Sequence, residues 1–236
     1  AVSLIDEVYH LGAQELYYHG FGEPFLHPKI ADMFKYVKNR YPKLKQFVVT
    51  NGTCILAYMV EEIFSNNVTV RFSLHAGDRK TWQRIHPKDE GVLFDRAQRT
   101  INLLGQEKPS LVEILYVLFK TNYENIERMV EFALENHVNK VLFRPMRLYE
   151  DSNGELMNAD LMLTHRQYDM VCNKVMSIKN EYKGKLSINV VPFLHNFYDE
   201  ELKRPSSFEY FQNNNSCYIG WVLTVISTNG EVLGCL

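Results

Sequence analysis

YHGFGEPFLHP, residues 18–28, is the stretch that decides the fold, because an apolar strand pattern there runs directly into two glycines, an acid and a proline. Gly20 and Gly22 allow a sharp turn and let a ligand approach the backbone without a Cβ in the way. Pro24 ends the strand, and Glu23 is placed to hold a cation or to organise the loop. The alternative interpretation of these residues alone is an ordinary strand-to-helix turn.

Four further segments repeat this pattern of an apolar strand, a polar or glycine-containing tip and then a helix. They cover residues 45–53, 68–77, 111–122 and 140–147. In residues 68–77, apolar and polar residues alternate with a period of two, which is typical of a half-buried strand. The repetition indicates a chain in which strands and helices alternate.

The segments between these strands have the apolar spacing of amphipathic helices, as in residues 29–40 and 124–135. Asn122 precedes the second of these helices as a candidate N-cap. Strict alternation predicts parallel strands joined by right-handed crossovers, and therefore a doubly wound sheet or a β/α barrel. Both folds bind ligands at the carboxyl ends of their strands, which is where the polar tips fall.

Length and composition restrict the class of protein. The chain has 236 residues, of which 46% are hydrophobic, and this is enough for one large core. No run of about 18 apolar residues is present to span a membrane. A formal charge of −2 and scattered lysines argue against a nucleic-acid surface. Since the chain starts at Ala1 and opens directly in a helix pattern, we expect it to be a fragment whose start is missing.

The four cysteines are too few for a disulfide framework. Cys54 and Cys172 are interpreted as lone thiols. Cys217 and Cys235 flank two apolar strands joined by a turn at residues 229–230, which predicts a β-hairpin with a thiol at each outer end. Two thiolates are half of the usual ligand set for zinc or an iron–sulfur cluster. A disulfide, or two unrelated cysteines, is the alternative.

Taken together and in order, these residues resemble the radical S-adenosylmethionine (SAM) enzymes, and specifically those with the cysteine-rich SPASM extension. Four matches carry the resemblance: Gly20-x-Gly22-Glu23-Pro24, Thr50-Asn51-Gly52-Thr53, Ser73-Leu74-His75-Ala76 followed by Ile85-His86-Pro87, and Cys217-x(12)-Gly230-x(4)-Cys235. The last match has the spacing of the opening half of the SPASM signature and is the most specific.

The resemblance implies an α/β fold, namely a partial TIM-like (β/α) barrel of parallel strands followed by a C-terminal β-hairpin. Residues 1–195 would be the partial barrel without its first strand and cluster loop, 196–216 a linker, and 217–236 the start of the SPASM-type domain. The family's Cys-x3-Cys-x2-Cys loop and the remaining SPASM cysteines are absent. We therefore expect truncation at both ends rather than a degenerate relative.

The resemblance also implies a set of site residues. SAM would be bound by Gly20, Gly22, Glu23, Pro24, Asn51, Ser73 and Arg144. Backbone acceptors near Gly22 and Glu23 would take the ammonium hydrogens of SAM, and Ser73 would contact the ribose or carboxylate. Asn51 would orient the methionyl end or only stabilise its own turn, and Arg144 would pair with a carboxylate or form a structural ion pair. Cys217 and Cys235 would be the metal ligands.

The implied activity is that of an oxidoreductase or transferase type of enzyme, with the fragment alone inactive. Reductive cleavage of SAM would give a 5′-deoxyadenosyl radical that abstracts hydrogen from a substrate, which we expect to be a peptide, a protein or a small molecule. The cofactors would be SAM, a 4Fe-4S cluster whose ligands are outside this chain, and auxiliary 4Fe-4S clusters. A reductant such as flavodoxin or ferredoxin would be the partner, without nucleic acid or membrane, in a reducing cytoplasm.

Two other classes of function stay open on the sequence alone. His19, His27, His75 and His86 fall near predicted strand ends, which is compatible with a zinc or manganese site in a metal-dependent hydrolase or lyase on a β/α barrel. A noncatalytic barrel that serves as a binding scaffold is the third class.

Overall fold

The computed structural model describes residues 2–20, 22–146, 157–190, 198–199, 204–205, 224–227 and 231–233. The predicted metal ligands Cys217 and Cys235 lie outside the described residues.

Six strands form the main sheet: β1 (Glu15–Tyr18), β2 (Lys45–Thr50), β3 (Val68–Ser73), β4 (Val112–Leu118), β5 (Lys140–Pro145) and β6 (Ser187–Val190). The helices are α1 (Val2–His10), α2 (Ile30–Arg40), α3 (Ala57–Ser65), α4 (Arg79–Ile85), α5 (Val92–Glu107), α6 (Ile126–Glu135) and α7 (His165–Glu181). In the described part of the chain, no helix has both the length and the apolar composition that a bilayer crossing requires.

The strands of this sheet are all parallel and lie in the order of the sequence, β1-β2-β3-β4-β5-β6. A doubly wound sheet reverses its strand order at a switch point, whereas a β/α barrel adds each strand next to the previous one. The observed order therefore selects the barrel from the two predicted folds. The prediction of a partial (β/α) barrel is confirmed.

The two faces of the sheet differ in their surroundings. Val48, Val70, Ile114 and Val141 are fully buried and share a core with apolar side chains of the helices. The alternate residues of these strands point to the opposite face, which we call the inner face; most of them are partly buried, whereas Glu113 is buried and Lys45 is exposed. A sheet covered by helices on one face alone is the arrangement of a β/α barrel wall.

The C-terminal β-hairpin is also confirmed. β9 (Val225–Ile226) pairs antiparallel with β10 (Val232–Leu233), with Val232 opposite Ile226. β7 (Tyr198–Asp199) and β8 (Arg204–Pro205) form a second antiparallel pair within the segment interpreted as a linker. The domain boundaries themselves stay a prediction.

The structure adds one strand to the predicted elements and corrects one predicted helix cap. β6 was not predicted, because its four residues are too few to show a clear period of two. Asn122 does not cap α6, which begins at Ile126 after a short 3₁₀ turn and makes no side-chain cap hydrogen bond. The side chain of Asn122 is used elsewhere, between β3 and β4.

Candidate functional site

The predicted cofactor-binding residues lie on one rim of the sheet. Gly20 and Glu23 follow β1, Asn51 follows β2, Ser73 ends β3, and Arg144 is the penultimate residue of β5. Because these strands are parallel, their carboxyl ends meet at the same edge. The structure thus brings together, on a single rim, residues that are far apart in sequence.

Glu23 joins the loop after β1 to the end of β2. Its Oε1 accepts the Thr50 hydroxyl at 2.6 Å and the Phe25 amide at 3.2 Å. Its Oε2 accepts the backbone N–H of Asn51 at 3.0 Å. Pro24 begins the 3₁₀ turn that Glu23 caps. Of the two roles expected for this carboxylate, the structure shows the organisation of the loop.

Thr50 is the hydrogen-bond partner of Glu23, and the sequence alone did not indicate this pairing. Its side chain points to the helix-covered face and is 2% exposed, so a buried hydroxyl there needs hydrogen bonds. It finds them by donating to Glu23 and by accepting the Gly52 N–H at 3.0 Å. Gly52 has a φ of +76°, and a Cβ there would lie 2.7 Å from the Phe72 ring. The Thr-Asn-Gly motif therefore needs its threonine and glycine for structural reasons.

Asn51 stabilises its own turn. Its Oδ1 accepts the Thr53 amide at 2.8 Å and the Thr53 hydroxyl at 2.7 Å. Its Nδ2 makes no hydrogen bond with the described residues and remains able to donate to a ligand. The Ser73 hydroxyl likewise has no hydrogen-bond partner among the residues that the structure describes. It belongs to the inner face, where β3 ends.

Gly20 and Gly22 leave the rim open. Neither has a positive φ, so the expected sharp turn does not require glycine at these positions. A Cβ built on either residue would meet no atom of the described residues within 4 Å. The backbone at these two glycines is therefore open to approach from outside as far as the described part of the chain is concerned.

Two cations act on His19 from across the inner face. Burial is the main cause that lowers the pKa of His19, and the charges of Arg144 and Arg71 lower it further. Both effects favour the neutral imidazole of His19. Arg144 itself makes further interactions beyond this electrostatic one.

His75 and Asn122 hold the ends of β3 and β4 together. The Nδ1 atom of His75 accepts the Val117 N–H at 3.1 Å, so its Nε2 carries the proton of the neutral ring. Asn122 is fully buried; its Nδ2 donates to the carbonyls of His75 and Val117, and its Oδ1 accepts the Phe119 N–H. These bonds replace strand pairing just beyond Ser73 and fix the point at which the chain leaves the sheet.

We expect the stability of the chain to decrease as the pH falls from about 6.5 to about 4. Burial, and then the charge of His86, lower the pKa of His75 to about 4. Between these values the unfolded chain binds a proton that the folded chain does not, so unfolding becomes easier with acidification by up to about 1.4 kcal/mol per pH unit. Urea unfolding at a series of pH values measures the slope. His75→Gln, which cannot titrate, should reduce it, and an unchanged slope would contradict the assignment.

The other histidines considered as metal ligands do not form a metal site with His75 in the described part of the chain. His27 accepts the Lys29 N–H through Nδ1, and His86 packs against Trp82 with ring centroids 4.1 Å apart. Within the described ranges there is no group of three or more His, Cys, Asp or Glu side chains that could hold a metal ion. No observation on these residues favours the metal-dependent hydrolase or lyase.

Comparison with curated proteins gives two relatives, and no family model matches the chain. A Pyrococcus furiosus protein described as a tungsten-containing aldehyde ferredoxin oxidoreductase cofactor-modifying protein is 30% identical over 135 residues, which are 54% of this chain and 36% of that protein. The PqqA peptide cyclase of Granulibacter bethesdensis is 23% identical over 98% of this chain and 57% of its own length. The chain therefore spans about a third to somewhat over half of these relatives.

Solved structures share the fold along the whole chain. SuiB of Streptococcus suis bound to S-adenosylmethionine matches with a TM-score of 0.75 and 18% identity, covering 100% of this chain and 52% of SuiB. SuiB bound to the precursor peptide SuiA matches with a TM-score of 0.72 and 18% identity, covering 99% of this chain and 51% of SuiB. The chain thus has the fold of about half of SuiB, and its rim lies at the carboxyl ends of the same kind of parallel sheet.

Proposed function

We propose that this chain is part of a radical SAM enzyme and that its rim binds S-adenosylmethionine. One observation carries the proposal: Glu23 fixes the loop of residues 22–28 on the end of β2, beside the open backbone of Gly22. An ordered loop with an accessible backbone suits a ligand with an ammonium group, since carbonyl oxygens accept its hydrogens. The likeness to SuiB, which has been solved with S-adenosylmethionine bound, supports the proposal.

The rim residues fit the polar parts of SAM. Carbonyl groups near Gly22 and Glu23 would accept the ammonium hydrogens. The hydroxyl of Ser73 and the Nδ2 of Asn51 have no hydrogen-bond partner in the described part of the chain; the former would contact the ribose or the carboxylate, and the latter would donate to the methionyl end. Arg144 would pair with a carboxylate through its planar guanidinium. Each of these groups lies at the carboxyl end of a parallel strand or in the loop that follows it.

The described residues do not by themselves fit an iron–sulfur cluster. Cys54 follows β2 and Cys172 lies in α7 on the outer layer, so these two thiols are on separate parts of the fold. The assignment of Cys217 and Cys235 to an auxiliary cluster stays a prediction, as does the SPASM-type domain to which they would belong. The cluster that would cleave SAM has no ligands among the described residues.

The reaction that we propose for the whole protein is hydrogen abstraction from a substrate, for which reductively cleaved SAM supplies the radical. The tasks of this chain are to orient SAM on the rim and to keep water from the inner face. A peptide substrate is supported by the names of two similar proteins, the PqqA peptide cyclase and SuiB bound to its precursor peptide. A reductant such as flavodoxin or ferredoxin would deliver the electron.

Glu23→Ala is expected to weaken SAM binding about tenfold or more. The substitution removes the three hydrogen bonds that hold the loop on β2, so the loop must be ordered when the ligand binds, and this ordering costs free energy. Isothermal titration calorimetry with SAM on the purified chain measures the change. Ser73→Ala should add a further loss of about fivefold, because it removes one hydrogen bond to the ligand.

Glu61→Ala is the matched control, because Glu61 is exposed on α3 and has no described partner. It should leave the SAM affinity unchanged. An equal affinity of Glu23→Ala and the wild type would remove Glu23 from the site. Production of 5′-deoxyadenosine by the full-length protein with SAM and a reductant, in the absence of oxygen, tests the reaction itself.

A further inference from the structure

A second polar site lies deeper on the inner face than the rim. The strand register places Arg71 opposite Glu113, and Glu113 opposite Lys140, so the three residues form one row across β3, β4 and β5. This row is two residues before Ser73 on β3, which is about 7 Å along the strand. We call these three residues the inner triad.

Two ion pairs, which differ in distance and in the number of hydrogen bonds, join the three residues of the inner triad. Arg71 donates from Nε and Nη2 to the same carboxylate oxygen, Oε2 of Glu113, at 2.9 and 2.7 Å. Lys140 is 3.5 Å from the other oxygen, Oε1. The side chains are 17%, 9% and 29% exposed for Arg71, Glu113 and Lys140. The carboxylate is thus well enclosed, whereas the ammonium is the most accessible and the most loosely held.

Two cations share one carboxylate, so the inner triad has a net charge of +1. The whole chain has a formal charge of −2, so the excess of positive charge at this place does not follow from composition. The other carboxylate on the inner face of the described strands, Glu15, pairs with Lys45 at 3.6 Å. Lys140 is the part of the inner triad that solvent reaches, so an anion from solution can meet the excess positive charge there.

The donors of the inner triad are not all used. Arg71 uses Nε and Nη2 for Glu113 and interacts further with the Tyr17 hydroxyl, whereas the Lys140 ammonium has three hydrogens for one contact at 3.5 Å with the described residues. The guanidinium carbon of Arg71 lies 5.5 Å from the Tyr17 ring centroid and 5.6 Å from that of Phe47. These two rings are stacked at 4.6 Å and form an apolar wall beside the cation.

We propose that the inner triad binds a carboxylate of the substrate. This inference rests on the proposed function and names the chemistry of its substrate. A single carboxylate matches a net charge of +1, whereas a phosphate group with about −1.5 to −2 charges exceeds it. The carboxylate of SAM is the poorer match, because its sulfonium and ammonium groups would add positive charge to a site that already has an excess. Arg71 and Lys140 donate to the carboxylate, and Tyr17 and Phe47 cover the carbon chain that bears it.

The test compares two neutral-backbone probes that differ in one charge, N-acetyl-glutamate N-methylamide and N-acetyl-glutamine N-methylamide. The Nε–Hε resonance of Arg71 is followed in the uniformly ¹⁵N-labelled chain during titration. The acidic probe should give a saturable shift and bind about tenfold tighter than its neutral isostere. Equal binding of the two probes, or no shift with the acidic probe up to its solubility limit, would overturn the proposal.

Lys140→Met should weaken binding of the acidic probe about tenfold, because it removes the more accessible cation. Lys183→Met, in the exposed turn after α7, is the matched control and should have no effect. An equal affinity of Lys140→Met and the wild type would contradict the assignment. The comparison of the two probes on the wild-type chain needs no variant, so it decides the question even if Lys140→Met folds poorly.

Saturation with SAM separates this proposal from the proposed function. The acidic probe should still bind with about the same affinity, since the inner triad is separate from the rim. Displacement of the probe by SAM would assign the inner triad to SAM itself and overturn the proposal. A chain that binds the acidic probe but not SAM would refute the proposed function and leave the carboxylate site in place.

Discussion

Asn122→Ala is expected to lower the free energy of unfolding by about 4 kcal/mol, because it leaves buried backbone groups without partners. Asn122 has no exposed surface, and its amide pairs with Phe119 N–H and with the carbonyls of His75 and Val117. These groups lie in the interior and lose their partner when the side chain is removed. Each unsatisfied group costs about 1–3 kcal/mol, so three together exceed the effect of an ordinary surface substitution.

Urea unfolding followed by circular dichroism measures this change. Asn125→Ala is the matched control: Asn125 is the same residue type three positions further on, and its side chain makes no cap hydrogen bond to α6. We expect the control to change the free energy of unfolding by less than about 0.5 kcal/mol. Similar losses for the two variants would show that Asn122 contributes only local propensity. Asn122→Ala should also weaken SAM binding, since Asn122 fixes the chain just beyond Ser73.

Gly105→Ala is expected to destabilise the chain by at least about 3 kcal/mol, although glycine to alanine in a helix usually stabilises by about 1 kcal/mol. Gly105 is buried in α5, where a Cβ would overlap the Asn136 carbonyl oxygen and lie 3.1 Å from that of His137. Both obstacles are backbone atoms after α6, so they cannot move aside as a flexible side chain can. The helices would have to separate.

Thermal unfolding shows directly whether Gly105→Ala stabilises or destabilises the chain. A higher melting temperature for Gly105→Ala would show that α5 and the end of α6 are further apart than the structure gives. Gly20→Ala is the useful comparison, since a Cβ at Gly20 meets no atom of the described residues within 4 Å. It should leave the melting temperature nearly unchanged and reduce SAM affinity, because it narrows the approach to the rim backbone.

The barrel could be predicted because its signals are local and repeated. Residues 68–73 alternate buried and partly buried side chains, and the structure shows the same alternation. Parallel pairing follows from the helices between strands, and the observed order of the strands then distinguishes the barrel from a doubly wound sheet. β6 was missed because four residues carry too little of the pattern.

The position of the rim could be predicted from the sequence, but the side-chain bonds that join residues of different strands could not. The bond between Glu23 and Thr50 joins residues 27 positions apart, and Arg71 reaches Glu113 over 42 positions. Such pairs depend on strand register, which a single sequence does not specify. The error at Asn122 has the same origin: an asparagine before a helix fits a cap, and the tertiary bond to His75, 47 residues away, takes precedence.

The hydrogen bonds that Glu23 makes across the rim have a kinetic consequence. They join residues of this chain only, so the loop is held in place by the protein itself and need not lose its freedom at the moment of encounter. Association with the rim should then be governed by diffusion and orientation, with little contribution from a slow closing step. Substitutions at Glu23 and Thr50 should therefore slow association, because they add a loop-ordering step that the wild-type chain does not need.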